Sequence, residues 1–151
     1  MTREKKLKPD LPSGFVDRKG SELKLKDKLT EIIKKNFQLY GYEQISTPSF
    51  EFSENIGKFL PDEDRPNSGV FGFKYGKDWL SLKYDLTAPL ARFYSANETL
   101  ISRPFKRFQL GNVWRNEKPG TGKGRFREFT QIDADIVGTV SYTHLTLPTK
   151  A

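Results

Sequence analysis

Cysteine is missing from all 151 residues, and histidine occurs once, at His144. The first absence excludes disulfides and thiolate metal ligation, and it fits a reducing compartment. No apolar run approaches the roughly 20 residues that span a bilayer. The opening stretch, MTREKKLKPDLPSG, is basic but leads into no apolar segment, so it does not read as a secretory signal. Glu4 and Asp10 argue against an organellar transit peptide. A cytoplasmic protein with no membrane partner is expected. Internal repeats and low-complexity tracts are also missing.

The last residues, VSYTHLTLPTKA, follow the preceding pattern without a turn that leads anywhere, and they resemble translated cloning or adapter sequence. Residues 140–151 are therefore set apart as a non-native tail, leaving 1–139 as one domain. His144 goes with the tail, so neither histidine catalysis nor a protein metal site is expected.

Charge and aromatic residues are plentiful. Twenty-six Lys and Arg against nineteen Asp and Glu give a net charge of +7, which favours an anionic partner. Twelve Phe argue against disorder, because each supplies a large buried area.

Residues 1–20 read as an irregular arm punctuated by Pro9, Pro12, Gly14 and Gly20. Leu25, Leu29, Ile32, Ile33, Phe37 and Tyr40 then recur at helical spacing, with Ser21 expected as N-cap and Gly41 as terminator. YEQISTPSFE suggests a strand ended or broken at Pro48. A short helix and the polar loop PDEDRPNSG precede two strands, VFGFKY and WLSLKYD, joined by a turn at Gly76–Asp78. Thr87 is expected to cap a second helix over roughly 88–100, with Pro89 in its first turn.

FKRFQLGNVWRNE and RFREFTQIDADIVG then form a long hairpin. On its returning strand Ile132, Ala134 and Ile136 alternate with Gln131, Asp133 and Asp135, so one face is apolar and the other polar. In simple register Arg115 and Glu117 join the polar face. That pattern fits a polar concavity and equally fits a half-solvated sheet. The connecting loop tilts the choice. Gly120, Gly122 and Gly124 allow close backbone approach, and Lys123, Arg125 and Arg127 offer cations to phosphate oxygens. No GxxxxGK[ST] loop is present, so a nucleotide site here is of another kind.

These residues carry a resemblance. The hairpin resembles the second signature motif of class II aminoacyl-tRNA synthetases, and YGYEQISTPSFE resembles their first. LSLKYDLTAPLAR is similar to a segment of histidyl-tRNA synthetases. The likeness covers residues 11–138.

It implies an α+β fold: an antiparallel sheet flanked by helices, of the class II catalytic-domain type, incomplete in this chain. It implies an ATP-dependent ligase that makes histidyl-adenylate and passes histidine to tRNA(His). Arg115 would bind the α-phosphate of ATP and the amino-acid carboxylate. Glu117 would meet the adenine edge, Phe129 would stack on the adenine, and Arg125 would reach the terminal phosphates. Asp85, Thr87 and Gln131 would hold the histidine ammonium, with Asp135 toward its imidazole. Many family members carry Glu where this chain has Asp85 and Asp135. Mg²⁺ would accompany ATP, and the first motif would build a homodimer. The helix from Ser21 and the strand to Pro48 would then face the second subunit. Arg107 and Arg127 are read as solvated or structural.

The principal alternative is the non-catalytic, synthetase-like regulatory subunit of ATP phosphoribosyltransferase. Such a regulator has little need to keep Arg115, Glu117, Arg125 and Phe129 together. A synthetase for another amino acid would need a different segment around Asp85. A generic RNA-binding module would bind in a strongly salt-dependent manner, indifferent to ATP.

Overall fold

A computed structural model describes residues 8–59, 69–118, 120 and 124–138. The first helix, α1, spans Ser21–Leu39. Its N-cap is Gly20, at φ 66° and ψ −128°, and no side chain bonds to the first turn. Ser21, expected as the cap, already lies inside the helix; Gly20 takes the left-handed value that a residue with a Cβ resists. Gly41 closes the other end as expected, at φ 76°, with its N–H donating to the Gln38 carbonyl at 3.0 Å.

After α1 the chain enters β1, Glu43–Gln44, which runs parallel to a later strand rather than forming the longer strand expected. Beyond Pro48 it crosses to a second sheet through β2, Phe50–Phe52. A 3-10 helix, Ser53–Phe59, follows. Most of the PDEDRPNSG loop lies outside the described residues. Strands β3, Gly72–Tyr75, and β4, Asp78–Leu82, form a hairpin around Gly76 and Lys77. Asp78, assigned to the turn by its sequence, is instead paired with Tyr75.

The second helix, α2, spans Thr87–Asn97. It stops short of Leu100, and the Leu100 and Ile101 N–H groups both donate to the Asn97 carbonyl, at 2.9 and 3.1 Å. Strands β5, Phe105–Trp114, and β6, Glu128–Val137, pair along their whole length without a bulge, from Phe105↔Val137 to Trp114↔Glu128. The two sheets have orders β1-β5-β6 and β2-β4-β3. The fold is therefore α+β with mainly antiparallel pairing, and β1 is the parallel exception.

Ile45, Leu90 and Phe105 form a core to which Phe93, Tyr94, Ile101 and Val137 add. Polar groups tie α2 and the 3-10 helix to the second sheet. Arg92 on α2 grips buried Glu51 on β2 through two bonds of 2.6 and 2.8 Å, and Ser53 meets Ser81 at 2.7 Å. The apolar stripe of α1 behaves differently. Phe37 stacks on Phe108 with centroids 5.2 Å apart, yet Leu25 is 59% exposed and Leu29 50%. No α1 residue is buried. Farther from Phe37, a groove of about 650 Å³ opens between α1 and the face of the hairpin that carries Asn112, Thr130 and Ile132.

Candidate functional site

The hairpin register decides which side chains meet. Gly111 stands opposite Gln131, Val113 opposite Phe129, Gln109 opposite Asp133 and Arg107 opposite Asp135. Opposed residues share a face, so the odd-numbered members line one side of the sheet. On β5 this side is enclosed: Phe105, Arg107, Gln109 and Val113 are all buried. Ile132 and Ile136, on the other side, are exposed. The acidic face of the hairpin is thus the more enclosed one.

The segment from Lys83 to Thr87 is strapped across the loop end of that face. The Trp114 N–H donates to the Lys83 carbonyl at 3.0 Å, and Arg115 Nε donates to the Tyr84 carbonyl at 3.3 Å. Lys83 Nζ lies 3.3 Å from where a Cβ on Gly111 would stand, and Leu86 Cδ2 lies 3.7 Å from it. A Cβ at 111 would crowd the end of the Lys83 side chain, which would have to give by a few tenths of an ångström. Lys83 is buried, with Nζ donating to the Thr47 carbonyl at 3.2 Å. Desolvation lowers its pKa, and the charge of Glu51 partly opposes that.

The strap and hairpin together hold Arg115. Its guanidinium carbon lies 4.6 Å from the Tyr84 ring centre and 5.1 Å from that of Phe129. Both contacts are within cation–π range. Among the described residues no carboxylate forms an ion pair with Arg115. Tyr84 also donates its hydroxyl to Glu117 Oε1 at 2.6 Å. That bond, then partial burial, raises the tyrosine pKa. Arg115, Glu117 and Phe129 therefore converge at one end of the face, with Tyr84 as the link.

Gln131 comes next along the same face. Its Oε1 is buried, with no hydrogen-bond partner among the described residues. Asp135 lies farther along and accepts from Arg107 Nη2, as does Asp133 at 3.0 Å. Asp85 is committed to the backbone: Oδ1 accepts from the N–H groups of Thr87 and Ala88, each at 3.1 Å. The N-cap position of α2 is Leu86, not the expected Thr87, and the Asp85 carboxylate just before it satisfies two N–H groups of the first turn. Thr87 is exposed. Arg125 is exposed on the loop with its stem across Gly120, and no described contact joins it to Arg115.

Two features went unrecognised in the sequence. Tyr84 precedes Asp85 in an otherwise legible segment, but its link to Glu117 exists only once the strap crosses the hairpin. Arg107 was set aside, yet it is fully buried. Arg127 is structural, as expected: its N–H donates to the Gly14 carbonyl at 2.8 Å and Nη1 to the Ser13 carbonyl at 3.1 Å. The 650 Å³ groove lies on the opposite face from Gln131 and Asp135, sharing only Phe129 with the predicted set. The convergence of polar groups, not the size of a cavity, marks the candidate site.

Comparison with known proteins identifies the family. The family model for histidyl-tRNA synthetase matches residues 14–146, ending inside the stretch set apart as a tail. A histidine–tRNA ligase from Pelagibacter ubique is 54% identical over 142 residues, covering 93% of this chain and 30% of that protein. The crystal structure of histidyl-tRNA synthetase from Nostoc superposes with a TM-score of 0.72 at 30% identity, covering 90% of this chain and 30% of that one. A Bacillus halodurans structure described as an ATP phosphoribosyltransferase regulatory subunit/histidyl-tRNA synthetase gives a TM-score of 0.73 at 25% identity. It covers 89% of this chain and 34% of that one. The chain spans less than a third of the length of the curated relatives it matches.

Proposed function

We propose a function from one premise: the chain belongs to the histidyl-tRNA synthetase family. The full-length protein is a histidine–tRNA ligase, and this chain carries the part of its catalytic domain that grips ATP and histidine. The histidine carboxylate attacks the α-phosphorus of ATP and pyrophosphate leaves. The terminal hydroxyl of tRNA(His) then attacks the acyl carbon and AMP leaves. ATP enters with Mg²⁺ as part of the substrate.

The observation that carries this reading is the placement of Arg115, held against Tyr84 and Phe129 and unpaired with any described carboxylate. Charge grows on the phosphate oxygens in the first step, and a fixed cation stabilises it without reorganising. Phe129 stacks on the adenine, and Glu117, held by Tyr84, meets its edge. Arg125 reaches the terminal phosphates once the loop closes over them. Gln131 Oε1, buried without a partner among the described residues, accepts from the histidine ammonium. Asp85 and Thr87 border that ammonium, and Asp135 faces the imidazole. Two copies associate through α1 and β1, which accounts for the exposed stripe of α1, and the protein works in the cytoplasm. Among the described residues, no helix is long and apolar enough to cross a membrane.

The regulatory-subunit reading has one point in its favour, the likeness to the Bacillus halodurans structure. The ligase is preferred because Arg115, Glu117 and Phe129 are kept in mutual reach. The test is ATP–pyrophosphate exchange by the full-length protein, followed by charging of tRNA(His). Exchange that depends on histidine and no other amino acid supports the ligase. Histidine binding without exchange supports the regulator.

A further inference from the structure

Arg107 is fully buried, yet among the described residues its guanidinium has acceptors only at Nη2. That nitrogen donates to Asp133 Oδ2 at 3.0 Å and to Asp135 Oδ2. Nε and Nη1 are buried without partners. The two carboxylates are less enclosed, with side chains 26% and 41% exposed. Beside Arg107 on β5, Gln109 is 1% exposed; its amide donates to Thr47 Oγ1 at 2.8 Å while Oε1 has no partner among the described residues.

Such a cluster is a poor way to stabilise a sheet. Desolvating a guanidinium costs several kcal/mol, and one donor nitrogen recovers only part of that. Apolar side chains at 107, 133 and 135 would pack here at less cost. The arrangement does achieve one thing: a single buried cation draws together two carboxylates that alternate along β6 and presents them toward the more open side with a net charge of one. That is a fixed acceptor for a planar group bearing N–H donors.

We infer that Arg107 is a positioning residue of the amino-acid pocket, holding Asp135 and Asp133 in the geometry that receives the imidazole. The inference rests on the ligase reading above. Arg107 does not touch substrate; it acts through the two aspartates. Lysine at 107 keeps the charge but lacks the planar fork, so it holds the aspartates less well.

The test is steady-state pyrophosphate exchange by the full-length protein and its Arg107→Met, Arg107→Lys, Asp135→Asn and Arg107→Met/Asp135→Asn forms, with melting temperatures measured alongside. Arg107→Met is expected to raise the KM for histidine roughly tenfold or more, the size of a lost charge-assisted hydrogen bond, with the KM for ATP within about twofold. Arg107→Lys falls between, and in the double variant the two effects on the histidine KM combine to less than their sum, because they share Asp135. Should Arg107→Met not fold, the lysine form carries the test through the same split between the two KM values. An unchanged histidine KM in the folded variants, or equal changes for histidine and ATP, overturns the role of Arg107 alone. Failure of the unsubstituted protein to exchange with histidine overturns the ligase reading and this inference with it.

Discussion

The Arg115 guanidinium rests 5.1 Å from the centre of the Phe129 ring, so the cation beyond the end of β5 and the aromatic near the start of β6 form one unit. Neither is placed by its own strand alone. Arg115 follows the last residue of β5, and its backbone N–H donates to the Arg127 carbonyl at 2.9 Å, which continues the ladder toward the loop. Tyr84 closes the unit from a different part of the chain.

Phe129→Leu keeps apolar bulk but removes the π face. The contact with Arg115 is worth about 0.5–1 kcal/mol, and stacking on a base about 1–3 kcal/mol. In the full-length protein the KM for ATP is expected to rise roughly tenfold, with a smaller change for histidine. Exchange kinetics at varied ATP check this.

Tyr84→Phe deletes only the hydroxyl that donates to Glu117. The expected loss is about 1 kcal/mol or somewhat more, since the acceptor is charged. It should appear as a several-fold rise in the KM for ATP and leave the melting temperature nearly unchanged. A variant with unaltered ATP kinetics would show that Glu117 needs no such anchor.

How much of this was legible in the sequence varies with the range of the interaction. Helix α1, the hairpin and the division of β6 into two faces follow from local periodicity. The caps did not follow: Gly20, one residue before Ser21, is the N-cap of α1, and the carboxylate of Asp85, two residues before Thr87, satisfies the first turn of α2. The parallel pairing of β1 with β5 joins residues more than sixty apart, and no local pattern encodes it. Arg107 shows the same limit. Any register that places Gly111 opposite Gln131 also places Arg107 opposite Asp135, so the pairing was implicit. Its burial was not, because it depends on the packing of chain segments far from the hairpin.

Arg92→Met leaves the buried carboxylate of Glu51 without its two-bonded partner. Stranding a buried charge is costly, and a destabilisation of roughly 2–3 kcal/mol is expected. Denaturant unfolding of the two forms measures it. Replacing Glu51 and Arg92 together by Met should recover part of the loss.

Lys83 gives stability a pH dependence of known sign. Its pKa in the folded protein lies below the ordinary 10.5, chiefly through desolvation. Between the lowered value and 10.5 the unfolded chain holds more protons than the native one, so stability rises with pH across that window. Below the window the unfavourable contribution is constant. Lys83→Met should remove this rise, seen as a flatter plot of unfolding free energy against pH on the alkaline side. Parallel plots for the two forms would mean that Lys83 ionises as it does in the unfolded chain.

The central claim is that Arg115 stabilises the charge built up when histidine is activated. Histidine-dependent ATP–pyrophosphate exchange by full-length Arg115→Ala measures this most directly. A fall of about a hundredfold or more, with the fold retained, is the predicted result. Exchange close to that of the unsubstituted protein would contradict it.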